Sequence, residues 1–476
     1  MSDTNELCGK HVTVMGLGRF GGGIGVTRWI RQLGATVTVT DQADADALAE
    51  SIDQLADLDV EFQLGSHDVS LLAKTDLLIV SPAVNKDKSR FFGQAVLRQV
   101  PWTTEMNLFF PRCRGRIIGV TGSVGKSTTT TMIADVLRSA VKSMPSEERP
   151  SVWVGGNIGR SLLEDLPRIQ ASDYVVLELS SFQLEDLSVL QLSPSVAVLT
   201  SLQPNHLDRH GTFENYAEAK CGIFAYQEPA TDHAVVCGED GAAVQAAAAT
   251  LGGLNGVWLY GLDEDGQPTA IRQGTRTEAS ETPTVETWEE LVLDLPGRHN
   301  RLNAAGAFAV GQALRVPTET WSNALRDFEG LPHRLQHVAD VDGVACYNDS
   351  KSTTPEAAIT ALRSFDRPVV ILLGGYDKKA SYETLAECVV ERARAVVCYG
   401  ATGKKIHQAI DAKLELDSEL VVFDADGFDH AVELARRTAE PGDVLLLSPA
   451  CASWDMFPHY EARGEAFCKA VSGEDR

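Results

Sequence analysis

Short apolar runs recur along most of the chain. Clear ones are His11–Met15, Thr36–Thr40, Leu77–Val80, Arg116–Val120, Tyr174–Leu179, Val196–Leu199, Val369–Leu373, Ala395–Cys398 and Val444–Leu447. Most are continuous in Val, Ile and Leu rather than alternating with polar residues. Continuous runs of that length suit strands buried on both faces of a parallel sheet. Helix-like stretches separate them, so the pattern predicts an α/β chain made of several doubly wound units. One interval breaks it. From Asp263 to Glu290 the chain is polar, rich in Thr and Glu and without helical period. That interval reads as an exposed insert or an irregular β segment.

Length and composition narrow the class. A chain of 476 residues suits about three domains of ordinary size. With 44% hydrophobic residues it can fill real cores. The net charge of −24 argues against a nucleic-acid partner, since such binders carry a basic face. The nine cysteines are scattered and form no CxxC pair, which fits reduced thiols in a cytoplasm rather than disulfides or a zinc site. The polar start MSDTNELCGK lacks the apolar segment of a signal peptide, and no apolar run reaches membrane-spanning length.

The strongest chemistry lies in Gly122-Ser123-Val124-Gly125-Lys126-Ser127-Thr128, between the run Arg116–Val120 and a helix-like stretch, Ser127–Ala140. A glycine turn entering a helix aims backbone N–H groups and the positive end of the helix dipole at one anion. Lys126 adds a charge for the β/γ-phosphates, and Ser127 or Thr128 adds a hydroxyl for Mg²⁺. The common loop has four residues before its Gly-Lys pair; here Gly122 is followed by a shorter gap. A second loop, Gly16-Leu17-Gly18-Arg19-Phe20-Gly21, matches G-x-G-x-x-G, and Asp41 follows the next run. It suits a dinucleotide, the pyrophosphate of a nucleotide-linked substrate, or a tight turn that needs small residues. The two loops make the first domain Rossmann-like, over residues 1–113, and the second a P-loop-type ATPase, over 114–330. The third, over 331–476, is again Rossmann-like.

Glu178 and His206 fall at or just after strand ends, where α/β sheets place ligands. Glu178 with Ser127 or Thr128 suits Mg²⁺, which takes oxygen ligands; an imidazole is a less usual one. Lys220 lies in a helical run, Glu214–Phe224, and composition alone favours a solvated surface lysine. Further on, Asn300 and Asn303 open an Ala-rich helix. Arg334, Asp349, Lys351 and Thr353 follow in polar clusters, and Lys378, Ser453 and Tyr460 lie after later strands. Cations and hydroxyls at those strand ends suit a small carboxylate, although each cluster alone is equally ordinary turn chemistry. Cys451 reads as a buried, inert thiol.

Taken in order, these motifs resemble those of the Mur ligases. Gly122–Thr128 is similar to the family's GTNGKST, Gly155–Gly159 to GGNIG, Glu178–Leu184 to ELSSFQL and His206–His210 to HxDRH. Gly297–Asn300, Leu331–Arg334 and Asn348–Thr354 resemble GxHN, LPHR and NDSKAT. The ending Leu447–Arg463 is closest to the branch that adds D-glutamate, and it argues against sister Mur enzymes and folylpolyglutamate synthases. The resemblance implies ATP-dependent amide formation between UDP-N-acetylmuramoyl-L-alanine and D-glutamate through an acyl phosphate, by a monomer. It implies the first domain for the UDP-sugar, with Gly16, Gly18 and Asp41, and Asn157 touching the same substrate. It implies ATP on Gly122–Thr128, Asn300, Asn303, Arg334, Asp349 and Lys351. Mg²⁺ would be held by Ser127, Thr128, Glu178 and His206, with Lys220 as a carbamate. D-glutamate would meet Lys378, Ser453 and Tyr460, with Thr353 nearby. Three features depart from the family: Val124 stands in place of Asn, Ala83 in place of the Gly of SPG, and the first loop carries extra glycine at Gly21-Gly22-Gly23.

Overall fold

The computed structural model describes residues 6–18, 21–277, 282–288, 291–415 and 418–473. Arg19 and Phe20 of the first glycine loop lie outside the described residues, as do parts of the polar interval. Three sheets form. The first holds β1 (His11–Met15), β2 (Thr36–Thr40), β3 (Val60–Gln63), β4 (Leu77–Val80) and β5 (Trp102–Thr103), in the order β3-β2-β1-β4-β5. All of its pairings are parallel.

The second sheet has eight strands: β6 (Arg116–Thr121), β7 (Val152–Gly156), β8 (Tyr174–Glu178), β9 (Val196–Leu199), β10 (His233–Cys237), β11 (Trp258–Leu262), β12 (Pro268–Gln273) and β13 (Pro283–Thr287). Their order is β13-β12-β11-β10-β9-β6-β8-β7. The polar interval therefore supplies two antiparallel strands that extend one side of this sheet. β13 at the edge is exposed along most of its length, so no buried stripe marks it in the sequence.

The third sheet holds β14 (Gln336–Val341), β15 (Val344–Asn348), β16 (Val369–Gly374), β17 (Ala393–Tyr399), β18 (Val421–Asp424) and β19 (Val444–Leu447), in the order β14-β15-β19-β16-β17-β18. Only β14 runs antiparallel to its neighbour. Its strands show why the apolar runs are continuous. Val369, Ile371 and Leu373 of β16 enter one core, while Val370 and Leu372 enter the core on the opposite face. Each such side chain contributes about 1.5–3 kcal/mol by leaving water.

By contacts the chain divides into two compact units. One comprises Met1–Val292 with Arg301–Leu325, the other Leu293–Asn300 with Arg326–Arg476. The first two sheets belong to the first unit, and a single apolar core that includes Val12, Val39, Leu177, Ala197 and Val236 serves both. Among the described residues no helix is long and apolar enough to cross a membrane. The glycine loops and the candidate polar residues follow the carboxyl ends of β1, β6, β8, β9, β15, β16 and β19, the edge at which parallel sheets bind ligands.

Candidate active site

The phosphate loop joins β6 to the helix Lys126–Lys142. Gly122 has φ +147°, and a Cβ there would overlap Thr200 Oγ1. Gly125, at φ +84°, caps the helix, and its missing Cβ leaves room for Asn303 Oδ1. Both positions need glycine for conformation and for space. The loop is held through its backbone: Val124 N–H donates to Ser201 Oγ (3.0 Å), and Thr200 Oγ1 donates to Val124 O (2.5 Å). The Val124 side chain is 57% exposed, so the Asn-to-Val departure leaves the cradle's own bonding intact. Thr200 and Ser201 were not legible as loop partners. The available signal was a pair of hydroxyls directly after an apolar strand.

Lys126 Nζ donates to Gly122 O (2.8 Å) and Ser123 O (3.0 Å), which places the ammonium over the loop. Ser127 Oγ donates to Glu178 Oε2 (2.6 Å), and Asn157 Nδ2 donates to Glu178 Oε1 (2.8 Å). Glu178 is 2% exposed. A carboxylate buried so deeply needs partners, and these two supply them. Thr128, in the same helical turn as Ser127, is also buried.

Lys220 corrects the surface reading. It is 2% exposed, on the helix Phe213–Cys221, with its ammonium 3.4 Å from Thr121 Oγ1 and 4.9 Å from the Tyr216 ring centroid. Burial, followed by the charge of Lys126, pushes its pKa down to about 7. His206 starts a short helix, Leu207–His210, at φ +52°, and burial lowers its imidazole below the ordinary range. Tyr216 OH lies 2.9 Å from Ser123 Oγ, which ties the helix Phe213–Cys221 to the phosphate loop.

A cavity of about 430 Å³ lies between the two glycine loops. Gly16, Gly18, Ser81, Asn157, His206, Lys126 and Lys220 line it. Gly16, at φ +92°, lets the turn after β4 come close, since a Cβ there would sit 2.8 Å from Ser81 Cβ. Asp41 stands outside that lining. Its carboxylate accepts from Leu17 N–H (2.8 Å) and Gly18 N–H (3.3 Å), so it holds the first loop in shape. Glu105 also lines the cavity, against Gly22. Burial pushes its carboxyl up to about 7, with Ser161 pulling the other way.

The second unit gathers the other candidates. Asp349 is buried and accepts from Ser352 Oγ (2.5 Å), Ser448 Oγ (2.8 Å) and Leu335 N–H (3.2 Å); burial raises it to about 6. Its carboxylate thus joins the loops after β15 and β19. Asn300 Nδ2 donates to Pro296 O (2.8 Å). Arg334 lies near His299, whose imidazole is held down to about 4 by burial and by that guanidinium. Lys351 sits 5.5 Å from the Tyr460 ring. Thr353 and Lys378 line a cavity of about 410 Å³ with Tyr376, Ser381 and Cys451, and Lys378 Nζ lies 5.2 Å from the Trp454 ring. Ser453 is buried. Cys451 is buried too, with its thiol 3.2 Å from both Tyr382 OH and Thr402 Oγ1. Burial pushes that thiol up.

Arg463 has a part that the sequence did not reveal. Fully buried, it donates through Nη2 to Ser350 O (2.9 Å) and Cys451 O (3.0 Å), and so joins the same two loops as Asp349.

Comparison with known proteins bears on this arrangement. Three family models match: the Mur ligase MurD-like N-terminal domain over residues 10–100, the Mur ligase middle domain over 120–311, and the Mur ligase glutamate ligase domain over 333–451. A UDP-N-acetylmuramoylalanine–D-glutamate ligase of Roseiflexus sp. (strain RS-1) is 39% identical, over 98% of this chain and 99% of that protein. The protein of the same name from Pelotomaculum thermopropionicum is 38% identical, over 97% of each. Among solved structures, the UDP-N-acetylmuramate–alanine ligase MurC of Thermotoga maritima superposes with a TM-score of 0.60 at 19% identity, covering 97% of this chain and 99% of that one. MurF of Acinetobacter baumannii gives 0.54 at 15% identity, covering 98% and 93%. These two share the three-domain fold. Full-length identity near two residues in five, with all three domain matches in order, shows that the chain belongs to the Mur ligase family, in its MurD branch.

Proposed function

We propose that the chain joins the carboxylate of UDP-N-acetylmuramoyl-L-alanine to the amine of D-glutamate, with ATP as the phosphoryl donor, in peptidoglycan precursor synthesis. One observation carries this reading. The phosphate-loop hydroxyl of Ser127 and the amide of Asn157 share the buried carboxylate of Glu178, beside a cavity that both glycine loops line. A triphosphate end and a nucleotide-linked substrate would then meet at one place, as an in-line transfer requires.

In this reading a carboxylate oxygen of the sugar substrate attacks the γ-phosphorus, and the bond to ADP breaks. The amine of D-glutamate then adds to the acyl carbon. The bond to phosphate breaks, phosphate leaves, and the amine proton is released. Lys126 and the N–H groups of Gly122–Thr128 offset the charge on the phosphates. Asn303 packs against Gly125 and holds the loop's glycine in place. Asn300, Arg334, Asp349 and Lys351 complete ATP binding, while Thr353, Lys378, Ser453 and Tyr460 receive D-glutamate. Gly16, Gly18 and Asn157 serve the UDP-sugar, with Asp41 acting on it through the loop that its carboxylate holds.

The donor set around Glu178 fits Mg²⁺. Hydroxyls and one carboxylate are hard oxygen ligands, and Mg²⁺ keeps waters and substrate phosphates in its remaining positions. Ser127, Thr128, Glu178 and His206 would hold the metal. Bound there, it would neutralise charge on the transferred phosphoryl group. Lys220 is read as a carbamate: its neutral amine adds to CO₂ and loses a proton, turning a buried cation into an oxygen donor.

The domains are taken as 1–113 for the UDP-sugar, 114–330 for ATP and 331–476 for the amino acid. Nine free thiols suit a reducing cytoplasm, and the working form is taken as a monomer on small-molecule substrates. The acyl phosphate is tested with substrate labelled with ¹⁸O in the alanine carboxylate. One labelled oxygen should appear in the released phosphate. Release of unlabelled phosphate would remove the acyl phosphate from this reading.

A further inference from the structure

The motif His206–His210 contains an arginine that neither phosphate chemistry nor metal binding employs. Arg209 lies in the short helix after β9, in the second sheet's half of the unit. Its guanidinium reaches across to the first sheet: Nη1 donates to Ala83 O (3.2 Å) and Nη2 to Val84 O (3.1 Å). Those carbonyls belong to the turn after β4, which closes on itself through Val84 N–H to Ser81 O (3.0 Å). Ser81, Pro82 and Ala83 line the cavity together with Phe182 and His206.

The same guanidinium sits 4.2 Å from the Phe182 ring centroid. Phe182 stacks on His210 at 5.2 Å and 6°. His210 is fixed at both nitrogens, by Ser181 Oγ (3.0 Å) and by Glu185 (3.0 Å). Tyr216 meets its ring at 5.3 Å, and Tyr216 OH reaches Ser123 Oγ of the phosphate loop. An unbroken run of contacts thus joins the β4 turn to the phosphate loop: Ala83 and Val84, Arg209, Phe182, His210, Tyr216, Ser123. A second tie lies alongside it, where Lys86 donates to both oxygens of Asp186 (2.6 and 2.8 Å).

We propose that Arg209 is a positioning residue that fixes the β4 turn, one wall of the nucleotide-sugar cleft, at a set distance from the phosphate loop. A planar guanidinium suits the task, because it can bond two carbonyls while stacking on an aromatic face, which a lysine cannot do. Transfer to the substrate carboxylate depends on the separation of the two walls, and small misplacements cost large factors in rate. The inference rests on the ligase reading for its kinetic consequence, but not for its structural one.

The test uses the full chain with Arg209→Ala and Arg209→Lys. Hydrogen exchange in the segment 81–88 should quicken in Arg209→Ala, while the phosphate-loop segment 122–128 stays protected. KM for the UDP-sugar should rise on the order of tenfold, with KM for ATP and D-glutamate within about twofold. Millimolar guanidinium should restore part of the loss in the alanine variant, and Arg209→Lys should fall between. Unchanged exchange over 81–88, or three KM values rising together, would overturn the proposal. Should the unsubstituted chain show no turnover with these substrates, the ligase reading fails, and the exchange result alone still decides whether Arg209 clamps the turn.

Discussion

Glu105 shows what burial does to a single group. Its carboxyl lines the cavity beside the first glycine loop, and desolvation lifts it from 4.5 to about 7. The folded chain therefore holds this proton between pH 4.5 and 7, where the unfolded chain has released it. Stability from this group is present below about 4.5 and is lost as pH rises through 7. Glu105→Gln removes that dependence. Relative to the unsubstituted chain, the variant should gain about 3 kcal/mol in urea unfolding between pH 4.5 and 8. An equal difference at both pH values would contradict the raised pKa. Lys220 illustrates how a residue can be read at the wrong level. Composition places lysines in solvent, yet on the helix Phe213–Cys221 the buried positions are Tyr216, Ala217, Lys220 and Cys221. That is one face at i, i+1, i+4 and i+5, so the helical period already set Lys220 among its apolar neighbours. Asp41 differs. Its position after β2 was legible, but its bonds to Leu17 and Gly18 depend on how the loop turns.

At the scale of elements, strands buried on both faces were the most legible, because continuous Val, Ile and Leu leave little choice. Leu77–Val80, Val196–Leu199 and Val444–Leu447 form as that pattern predicts; His11–Met15 and Thr36–Thr40 also form, although they alternate Val with buried Thr. β12 and β13 were less legible: β13 at the edge is exposed along most of its length, β12 is only partly buried, and neither carries a run of apolar residues. Gly311 was opaque in sequence, since glycine inside a helix reads only as a weak position. In the fold, a Cβ at Gly311 on the helix Arg298–Leu314 would overlap the indole of Trp321, which is buried and donates through Nε1 to Val316 O (3.3 Å). Gly311→Ala should therefore destabilise the chain by about 1–3 kcal/mol in urea unfolding, with KM for ATP unchanged below the transition. A neutral substitution would mean that this packing is looser than the geometry implies.

For the whole molecule, the order of the motifs carried more information than any one of them. A glycine-lysine loop alone indicates a phosphate, and a glycine loop after β1 alone indicates several ligands. Their sequence along three α/β domains indicates a ligase that handles two nucleotides. What the sequence could not supply is contact between distant segments. The sharing of Glu178 by Ser127 and Asn157, the joining of two strand-end loops by Asp349 and Arg463, and the reach of Arg209 to Ala83 and Val84 all require the fold. The activity itself is tested most directly by phosphate release across a panel of amino acids, with UDP-N-acetylmuramoyl-L-alanine and Mg-ATP present. D-glutamate should drive release, and omission of any one substrate should abolish it. Better turnover with L-glutamate or a diamino acid, or release without the UDP-sugar, would contradict the account.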